Sequence, residues 1–440
     1  MSFTNWLGFI NSLSFAHAKK RRGFRMLERR DVPHLLLESL EDRVVPAATL
    51  LHDFGTNVDE IGTDSSFYPQ QAFTQAGELV YFPASVPTNP VNVEVVRNEL
   101  WVTNGTAAGT RMINDSTVTD STYSFDLTPV GNTMFFFAND SAGHPQLWSY
   151  SGSGSPRQIT NSTSFFSAEG GMVAIGTTLY YPFIANGEYQ LFSYNTATPS
   201  SPPSEINFSS NVQPDPSGLT AVGNTLYFFG VDANGNGALY SYSGSGTPTE
   251  LTSPFTNPYD PTAFGSTLYF AASDLSGATQ LWQVTSGSSN ATEIKVGTNS
   301  DPAPAANGGP LTVVGDTMYF DAFDVNNHEQ LWSYGGSGSP TQLTNGSFFD
   351  VTDLTPAGNT LYFTATNSAE TANALYSVNG SSVSQITIGT AANPAVQSLD
   401  AVGNTLYFAA FDGSNVFRLW EYAGSGSPSI VTVDPTGPSG

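Results

Sequence analysis

The chain repeats one pattern of apolar and polar positions eight times. In each repeat a Gly closes a short apolar stretch, an apolar and aromatic run follows, and a polar turn then leads to Leu plus an aromatic residue. The repeats are 42 to 54 residues apart, as marked by Gly77, Gly131, Gly176, Gly223, Gly265, Gly315, Gly358 and Gly403. One small sheet of this size cannot bury both of its faces until neighbours stack against it, so the period predicts propeller blades.

The pattern within a repeat predicts four strands, A to D. In the fourth repeat we expect them at residues 218–223, 224–229, 238–242 and 248–252. Strand B, as in Leu226-Tyr227-Phe228, lacks polar alternation, which predicts burial on both faces. Strand D, as in residues 341–344, alternates and is polar, which is typical of an outer edge. In the first repeat, residues 83–98 lengthen the connection from B to C.

Two kinds of turn recur in register with these strands. Gly followed by Asn, as at Gly131 and Gly223, accepts positive φ and predicts a hairpin between strands A and B. A Ser-Gly-rich segment ending in Pro, as at residues 151–156 and 243–248, separates strands C and D. Because these segments repeat in register, we interpret them as hairpin loops and not as linkers between domains.

The resulting fold prediction is an all-β, eight-bladed β-propeller of four-stranded antiparallel blades, with seven blades as the alternative. It occupies residues 48–434 as one domain, after an N-terminal segment at 1–47 and before a disordered tail at 435–440. The chain offers nine D-type segments for eight blades, because residues 48–54 and 428–433 both resemble strand D. We expect residues 49–54 to pair with the last blade and close the ring.

Composition and charge exclude several classes of function. The chain has no Cys, so disulfides, thiolate metal sites and Cys nucleophiles are absent. Residues 1–46 carry eight Lys+Arg and five Asp+Glu, whereas the rest carries five and 32, a net charge of −27. Five scattered cations cannot form the basic surface that nucleic acids need, so no nucleic-acid partner is expected. An acidic, Lys-poor chain of this kind favours an exported protein.

The N-terminal segment has its own pattern. No apolar run there is long enough to cross a membrane, so no membrane-spanning segment is predicted. The stretch Leu37-Glu-Ser-Leu-Glu-Asp-Arg-Val-Val-Pro46-Ala-Ala resembles the LExLEDRxxPA motif of planctomycete-type bacterial surface and secreted proteins. That resemblance implies a sorting or processing signal over residues 1–47 and a secreted or cell-surface location. A short amphipathic helix without a targeting role is the alternative.

A second resemblance concerns the repeats. Glu99-Leu-Trp-Val-Thr-Asn-Gly-Thr106-Ala-Ala-Gly-Thr110 is similar to the bacterial ELWxxDGT repeat, although Asn104 stands where that family usually has Asp. The other seven repeats keep Leu plus an aromatic residue but lack DGT, and four of them have the Ser-Gly turns instead. The resemblance implies a surface-associated or secreted β-propeller with no catalytic residues to carry over.

Strand direction identifies the variable face of the propeller. The B to C and D to A connections emerge on one face, and the A to B and C to D turns on the other, which carries only Gly-Asn and Ser-Gly turns. Carboxylates recur on the variable face nine residues after the repeat Gly, at Asp140, Asp232, Asp274, Asp324 and Asp412. Asp at the end of a strand commonly accepts backbone hydrogen bonds and starts a turn. The functional alternative is a ring of carboxylates that binds a cation.

One of these turns resembles part of a calcium loop. Asp232, Asn234 and Asn236, followed by Gly237, match the first half of such a loop, but the twelfth position is Ser243 where a bidentate Glu is needed. These three residues are therefore weak candidates for a metal site. We predict no metal and no cofactor.

Aromatic residues on the same face form a second candidate set. Phe165, Phe166, Tyr259, Phe348 and Phe349 lie in the predicted D to A loops. They fit a plug between blades, or a platform on which sugar rings stack.

The sequence favours a binding protein over an enzyme. No nucleophile elbow, H-E-x-x-H motif or phosphate-binding Gly loop is present. We therefore expect an exported, non-catalytic β-propeller that acts as a surface interaction or structural module, with an unidentified surface protein or glycan as partner. A lectin-like propeller is the first alternative, and a polysaccharide-active enzyme, which needs only two carboxylates, is the second.

Overall fold

The computed structural model describes residues 74–430 apart from short gaps, which are 90–91, 105–108, 110, 114–124, 164–170, 186, 209–214, 252–253, 306–309, 347, 368–372, 392–393 and 415. The chain is all-β and forms eight four-stranded antiparallel blades arranged in a ring, an eight-bladed β-propeller. The alternative of seven blades is therefore wrong. No helix in the described part of the chain is long and apolar enough to cross a membrane.

The strands of each blade are A, B, C and D in chain order, and the blades follow one another along the sequence. Blade 1 contains Thr74–Ala76, Leu79–Asn89, Asn92–Thr103 and Arg111–Met112; blade 2 contains Phe125–Val130, Thr133–Asn139, Pro145–Tyr150 and Arg157–Gln158; blade 3 contains Val173–Ile175, Thr178–Ala185, Glu188–Asn195 and Ser204–Glu205; blade 4 contains Ser217–Val222, Thr225–Val231, Gly237–Tyr242 and Thr249–Glu250. The strands of blade 4 match the sequence prediction to within three residues.

The second half of the ring has the same arrangement. Blade 5 contains Phe255–Phe264, Thr267–Asp274, Thr279–Thr285 and Thr292–Ile294; blade 6 contains Thr312–Val314, Thr317–Phe323, Glu329–Tyr334 and Thr341–Gln342; blade 7 contains Phe348–Ala357, Thr360–Asn367, Ala374–Asn379 and Ser382–Ile386; blade 8 contains Gln397–Val402, Thr405–Phe411, Phe417–Tyr422 and Ser429–Ile430. Strand D has only two or three residues in seven blades, which limits the exposed edge of each sheet.

Strand A is the innermost strand. The A strands of successive blades contact one another in most of the ring, which places them around the axis. Hydroxyl groups on these strands link neighbouring blades: Thr128 donates to the carbonyl of Met172, and Thr220 to the carbonyl of Pro261. Each of these hydrogen bonds gives a main-chain carbonyl of one blade a donor from the preceding blade.

Seven seams between consecutive blades, from blades 1 and 2 to blades 7 and 8, each contain an apolar core. Strand B contributes to two cores at once, because its side chains alternate between the faces of the sheet. In blade 4, Leu226 and Phe228 pack toward blade 3, whereas Tyr227 and Phe229 pack toward blade 5. The predicted burial of strand B on both faces is confirmed.

The aromatic residue of strand C supports its own blade. Trp148, Trp282, Trp332 and Trp420 are buried, and each donates its indole N–H to the carbonyl of a strand-B alanine ten residues earlier. This bond satisfies the one polar atom of a ring that otherwise fills the core.

Turn geometry also follows the prediction. The eight glycines that mark the repeats all have φ between 58° and 63°, in the A to B hairpins. The Ser-Gly segments form the C to D turns, where Gly244 and Gly246 also have positive φ.

The first blade differs from the prediction. Residues 83–98 were expected to form a lengthened connection, but strands B and C instead continue as a long hairpin in which Asn89 pairs with Asn92. The C-strand half of this segment includes Asn-Val-Glu-Val at 92–95, whose apolar and polar alternation is typical of a β-strand. The N-terminal segment 1–47, the closing segment 49–54 and the tail 435–440 lie outside the described residues, so those predictions stay untested.

Candidate interaction face

The propeller has two unlike faces. We call the surface formed by the B to C turns and the beginnings of the A strands the B–C face, and the surface formed by the A to B and C to D turns the A–B face. The sequence prediction placed all candidate residues on the B–C face.

The five predicted aspartates form the B to C turns. In each turn one carboxylate oxygen accepts hydrogen bonds from the backbone N–H groups two and four residues later, at 2.7 to 3.1 Å. The five turn aspartates are Asp140, Asp232, Asp274, Asp324 and Asp412. The turn-forming interpretation is confirmed by this geometry.

These hydrogen bonds also keep the turns negatively charged. The backbone N–H of Asn236 and then the Asn side chains lower the pKa of Asp232, and the Ser276 side chain and backbone lower that of Asp274. The pKa of Asp412 is lowered first by the backbone N–H of Val416 and further by Arg418. Burial raises the pKa of Asp140, but hydrogen bonds from His144, Ala142 and Gln146 outweigh it. The B–C face therefore carries ionised carboxylates at neutral pH.

The partial calcium loop holds its own side chains together. Both carboxylate oxygens of Asp232 are engaged, because the side-chain amides of Asn234 and Asn236 donate to the oxygen that the backbone does not use, at 3.4 and 3.2 Å. Within the described residues, no group of three or more His, Asp or Glu side chains is placed to hold a metal ion. The geometry gives these residues a structural role in the turn.

The predicted aromatic residues do not lie in loops where the structure describes them. Tyr259 belongs to strand A of blade 5, and Phe348 and Phe349 begin strand A of blade 7. Phe348 is half-buried and packs on Tyr376, with ring centroids 5.1 Å apart. Phe165 and Phe166 lie outside the described residues.

The A strands of blades 5 and 7 reach further than predicted because they contain two bulges each. Asn257, Asp260, Asp350 and Asp353 adopt φ of 51° to 55° at these points. Asn and Asp tolerate this left-handed region better than other residues with a side chain, so the strand bends and continues where a loop was expected.

The outer aromatics contact neighbouring blades and stay partly accessible. The hydroxyl of Tyr259 donates to the carbonyl of Pro304 at 3.1 Å. The ring of Phe349 meets His328 of blade 6 edge-on, with centroids 5.6 Å apart. Both aromatic side chains are still among the exposed large apolar residues of the molecule. Their contacts fit the predicted packing between blades, and the platform for sugar rings stays a prediction.

Apolar residues in the B to C turns were missed by the sequence analysis. Leu275 is 83% exposed and Val325 is 67% exposed, and each directly follows the turn aspartate of its blade. Val416 is also exposed and ends the turn of blade 8. The sequence contained a signal for these residues. Blades 2 and 4 have the small residues Ser141 and Ala233 after the turn aspartate, where blades 5 and 6 have the large apolar Leu275 and Val325.

A group of inner carboxylates was also missed. Asp126, Asp260 and Asp400 lie on A strands near the axis, and burial raises the pKa of each. The pKa of Asp126 rises to about 6. The sequence signal was an Asp three or five residues before the repeat Gly, on a strand whose other residues are apolar or small.

No protein-family model matches the chain, and no sequence among the curated proteins matches it. Among solved structures, a puromycin-hydrolysing peptidase of Mycobacterium tuberculosis is similar with a TM-score of 0.43 and 10% identity, covering 72% of this chain and 54% of the peptidase. The chain thus spans about half the length of that peptidase.

Two smaller structures are similar along most of their own length. The β-propeller domain of the Trilobed protease from Pyrococcus furiosus, which has an open velcro topology, has a TM-score of 0.41 and 12% identity, with 82% of this chain and 94% of the domain covered. The lectin BP39L from Burkholderia pseudomallei has a TM-score of 0.37 and 13% identity, with 70% of this chain and 97% of the lectin covered. At sequence identities and TM-scores this low, the activities of those proteins do not transfer to this chain.

Proposed function

We propose that this protein is an exported, non-catalytic interaction module that binds a partner protein through the B–C face of blades 5 to 8. The observation that carries the proposal is the position of the exposed large apolar side chains. Of the six in the described structure, five lie on this face: Tyr259, Leu275, Val325, Phe349 and Val416. Single exposed apolar residues are ordinary, but their concentration on one face of four consecutive blades is typical of a binding surface.

Charge supports the choice of partner. The turn aspartates beside Leu275 and Val416 have lowered pKa values and stay ionised. The repeat region as a whole carries a net charge of −27. A partner that presents apolar side chains flanked by Lys and Arg would match both features, because complementary charge speeds association and rejects acidic surfaces. The partner is therefore a basic protein surface.

The export part of the proposal rests on the motif at residues 37–48 and on the acidic composition. Mass spectrometry of protein purified from its natural source should find an N-terminus between Pro46 and Thr49. Intact protein that starts at Met1 and stays in the cytosol would contradict export.

Binding can be tested by site-specific cross-linking in the source cells. A photoreactive amino acid replaces Leu275 in the full chain, and in a matched control it replaces Ile430, which is similarly apolar and exposed but lies on the outer strand of blade 8. Irradiation should give one defined protein adduct at position 275 and none at 430. Mass spectrometry should place the cross-link in a segment of the partner rich in Lys, Arg and apolar residues.

Three results would overturn the proposal. Equal cross-linking at positions 275 and 430 would show a non-specific apolar surface. A cross-link to residues 1–46 of the same chain would show that the basic N-terminal segment occupies this face. Cross-linking to glycan alone, or turnover of a polysaccharide by the purified protein, would favour a lectin or an enzyme.

A further inference from the structure

A cavity opens on the A–B face between blades 2 and 3, on the side predicted to carry only turns. Its volume is about 330 Å³. Hydroxyl groups of both blades line it, together with the Arg157 guanidinium and the rings of Phe135 and Tyr194. The hydroxyl-bearing residues, besides Tyr194, are Thr133, Ser149, Ser151, Ser155 and Thr196.

This seam departs from the repeat at two positions, one in each blade. Blade 2 has Phe135 where the strand B of every other blade has Tyr, as in Tyr81, Tyr180, Tyr227, Tyr269, Tyr319, Tyr362 and Tyr407. In the seams that follow blades 3 and 7, this Tyr hydroxyl lies over a glycine of the next Ser-Gly turn, 3.4 Å from where a Cβ would be. In blade 3 a longer Thr- and Pro-rich loop, residues 195–203, replaces that turn.

A third departure supplies a positive charge. Arg157 begins strand D directly after the Pro of its Ser-Gly turn, where blades 4, 6 and 8 have Thr249, Thr341 and Ser429. The Arg157 side chain crosses the seam and donates from Nη1 to the Tyr194 hydroxyl at 3.2 Å and from Nη2 to the carbonyl of Pro199. A guanidinium has five N–H donors, so these two contacts position the group and, among the described residues, leave three donors.

The neighbouring seam has an equivalent arginine beside a bulkier residue. Between blades 1 and 2, Arg111 donates to the Tyr150 hydroxyl at 2.9 Å and to the carbonyl of Gly152 at 2.6 Å. There Leu79 fills the position of Thr133, and its Cδ1 lies 2.5 Å from where a Cβ on Gly152 would be. Small polar residues take the place of this bulk in the seam between blades 2 and 3.

We propose that this cavity binds a sugar acid, a small ring that carries both hydroxyl groups and one carboxylate. The remaining N–H donors of Arg157 suit a carboxylate, which a guanidinium can bind through two parallel hydrogen bonds. The serine and threonine hydroxyls both donate and accept, as sugar hydroxyls require. The volume lies at the lower end of the range for small-molecule sites, which fits one sugar ring. The site is separate from the B–C face and stands independently of the function proposed above.

Calorimetric titration of the full chain with sodium glucuronate and with glucose tests the proposal. The two probes differ only in the carboxylate, so glucuronate should bind about tenfold or more tightly than glucose. Replacing Arg157 by the residue found in blades 4 and 6, Arg157→Thr, should lower glucuronate affinity to the level of glucose. Thr133→Leu, which copies the residue of blade 1, should block both sugars while Arg157 remains.

Arg111→Thr is the matched control, because it removes the equivalent arginine from the neighbouring seam and should leave glucuronate binding unchanged. If Arg157→Thr melts at a much lower temperature than the parent chain, Thr133→Leu alone decides the matter. A disaccharide that ends in glucuronate distinguishes two sources of the ligand. If the natural ligand is the end of an acidic polysaccharide, the disaccharide should bind more tightly than free glucuronate. If the natural ligand is a free sugar acid, free glucuronate should bind more tightly. Equal affinity for glucuronate and glucose, no saturable binding, or full binding by Thr133→Leu would overturn the proposal.

Discussion

Asp260 in blade 5 accepts a hydrogen bond from the backbone N–H of Leu311 in blade 6, with 2.7 Å between the carboxylate oxygen and the nitrogen. Thr262 of the same strand donates its hydroxyl to the carbonyl of Leu311 at 3.2 Å. Both backbone groups of Leu311 are thus bound by side chains of the preceding blade. The seams after blades 2 and 4 contain a corresponding threonine bond, through Thr128 and Thr220. The inner ring is joined by side chains as well as by apolar packing.

Loss of one such link should lower the stability of the propeller measurably. Thr262→Val keeps the shape of the side chain and removes its hydroxyl, leaving the Leu311 carbonyl without this donor. We expect the free energy of unfolding to fall by about 1 kcal/mol, the usual cost of a lost hydrogen bond. Urea titration should show a lower midpoint at an unchanged slope. Thr355→Val is the control, because within the described part of the chain the Thr355 hydroxyl bonds only inside its own strand, to the carbonyl of Asp353. Equal losses in the two variants would contradict a linking role.

The half-buried carboxyl group of Asp126 predicts an unusual dependence of stability on pH. Burial raises its pKa from 3.8 to about 6, so between these values the folded state holds a proton that the unfolded state has released. The contribution of Asp126 to stability is therefore greatest below about pH 4 and falls as pH rises toward 6. Above pH 6 the folded protein carries the full cost of a charged, half-buried carboxylate.

Asp126→Asn should remove this cost without disturbing the backbone, because Asn also tolerates the φ of 58° at this position. The rise in the pKa of Asp126 from 3.8 to about 6 limits the gain in the free energy of unfolding to about 3 kcal/mol. We expect a gain of about 1 kcal/mol at pH 7, because the amide still needs hydrogen-bond partners. Denaturation at several pH values should show the difference between variant and parent growing from pH 4 to 6 and constant above. A variant less stable than the parent at pH 7 would contradict this account.

The blades could be predicted because each is encoded locally and eight times over. Uniform glycines such as Gly223 mark the A to B hairpin, and apolar runs such as Leu226-Tyr227-Phe228 can only belong to strands covered on both faces. The long hairpin of blade 1 and the extended A strands of blades 5 and 7 could not be predicted in the same way. The extended A strands depend on bulges at residues such as Asn257 and Asp350, whose spacing has no counterpart in most repeats. The long hairpin has no equivalent in the other seven blades, so the repeat pattern does not predict it.

Calcium should have little effect on the stability of this protein. The carboxylate of Asp232 is already engaged by the backbone of Asn234 and Asn236 and by their side chains. A ligand raises the melting temperature only if it binds the native state preferentially, so millimolar calcium should leave it nearly unchanged. Asp232→Ala should lower the melting temperature because the turn loses its hydrogen-bond acceptor. Asp232→Asn keeps an acceptor oxygen and should lower the melting temperature much less. A large calcium-dependent rise that Asp232→Ala abolishes would contradict the structural role.

The candidate sites were harder to predict than the blades because they are exceptions to the repeat. The sequence identified the turn aspartates, whose regular spacing reflects a structural requirement. The surface that we propose for binding depends on irregular residues such as Leu275 and Val325, and their exposure follows from the turn geometry around Asp274 and Asp324. The cavity beside Arg157 depends on which residues face one another across a seam, and Phe135 and Pro199 are 64 positions apart in the chain.

The affinity of the cross-linked partner for defined variants tests the central claim most directly. Once the partner is purified, its dissociation constant should be measured for the parent chain, for Leu275→Ser and Val325→Ala, which copy residues of blades 2 and 4, and for Ile430→Ser as the control. Truncating an apolar residue at the centre of an interface commonly weakens binding about tenfold or more. We predict that the two B–C face variants bind at least about tenfold more weakly and that Ile430→Ser binds like the parent. Unchanged affinity in both B–C face variants, or equal losses in all three, would contradict the assignment of this face.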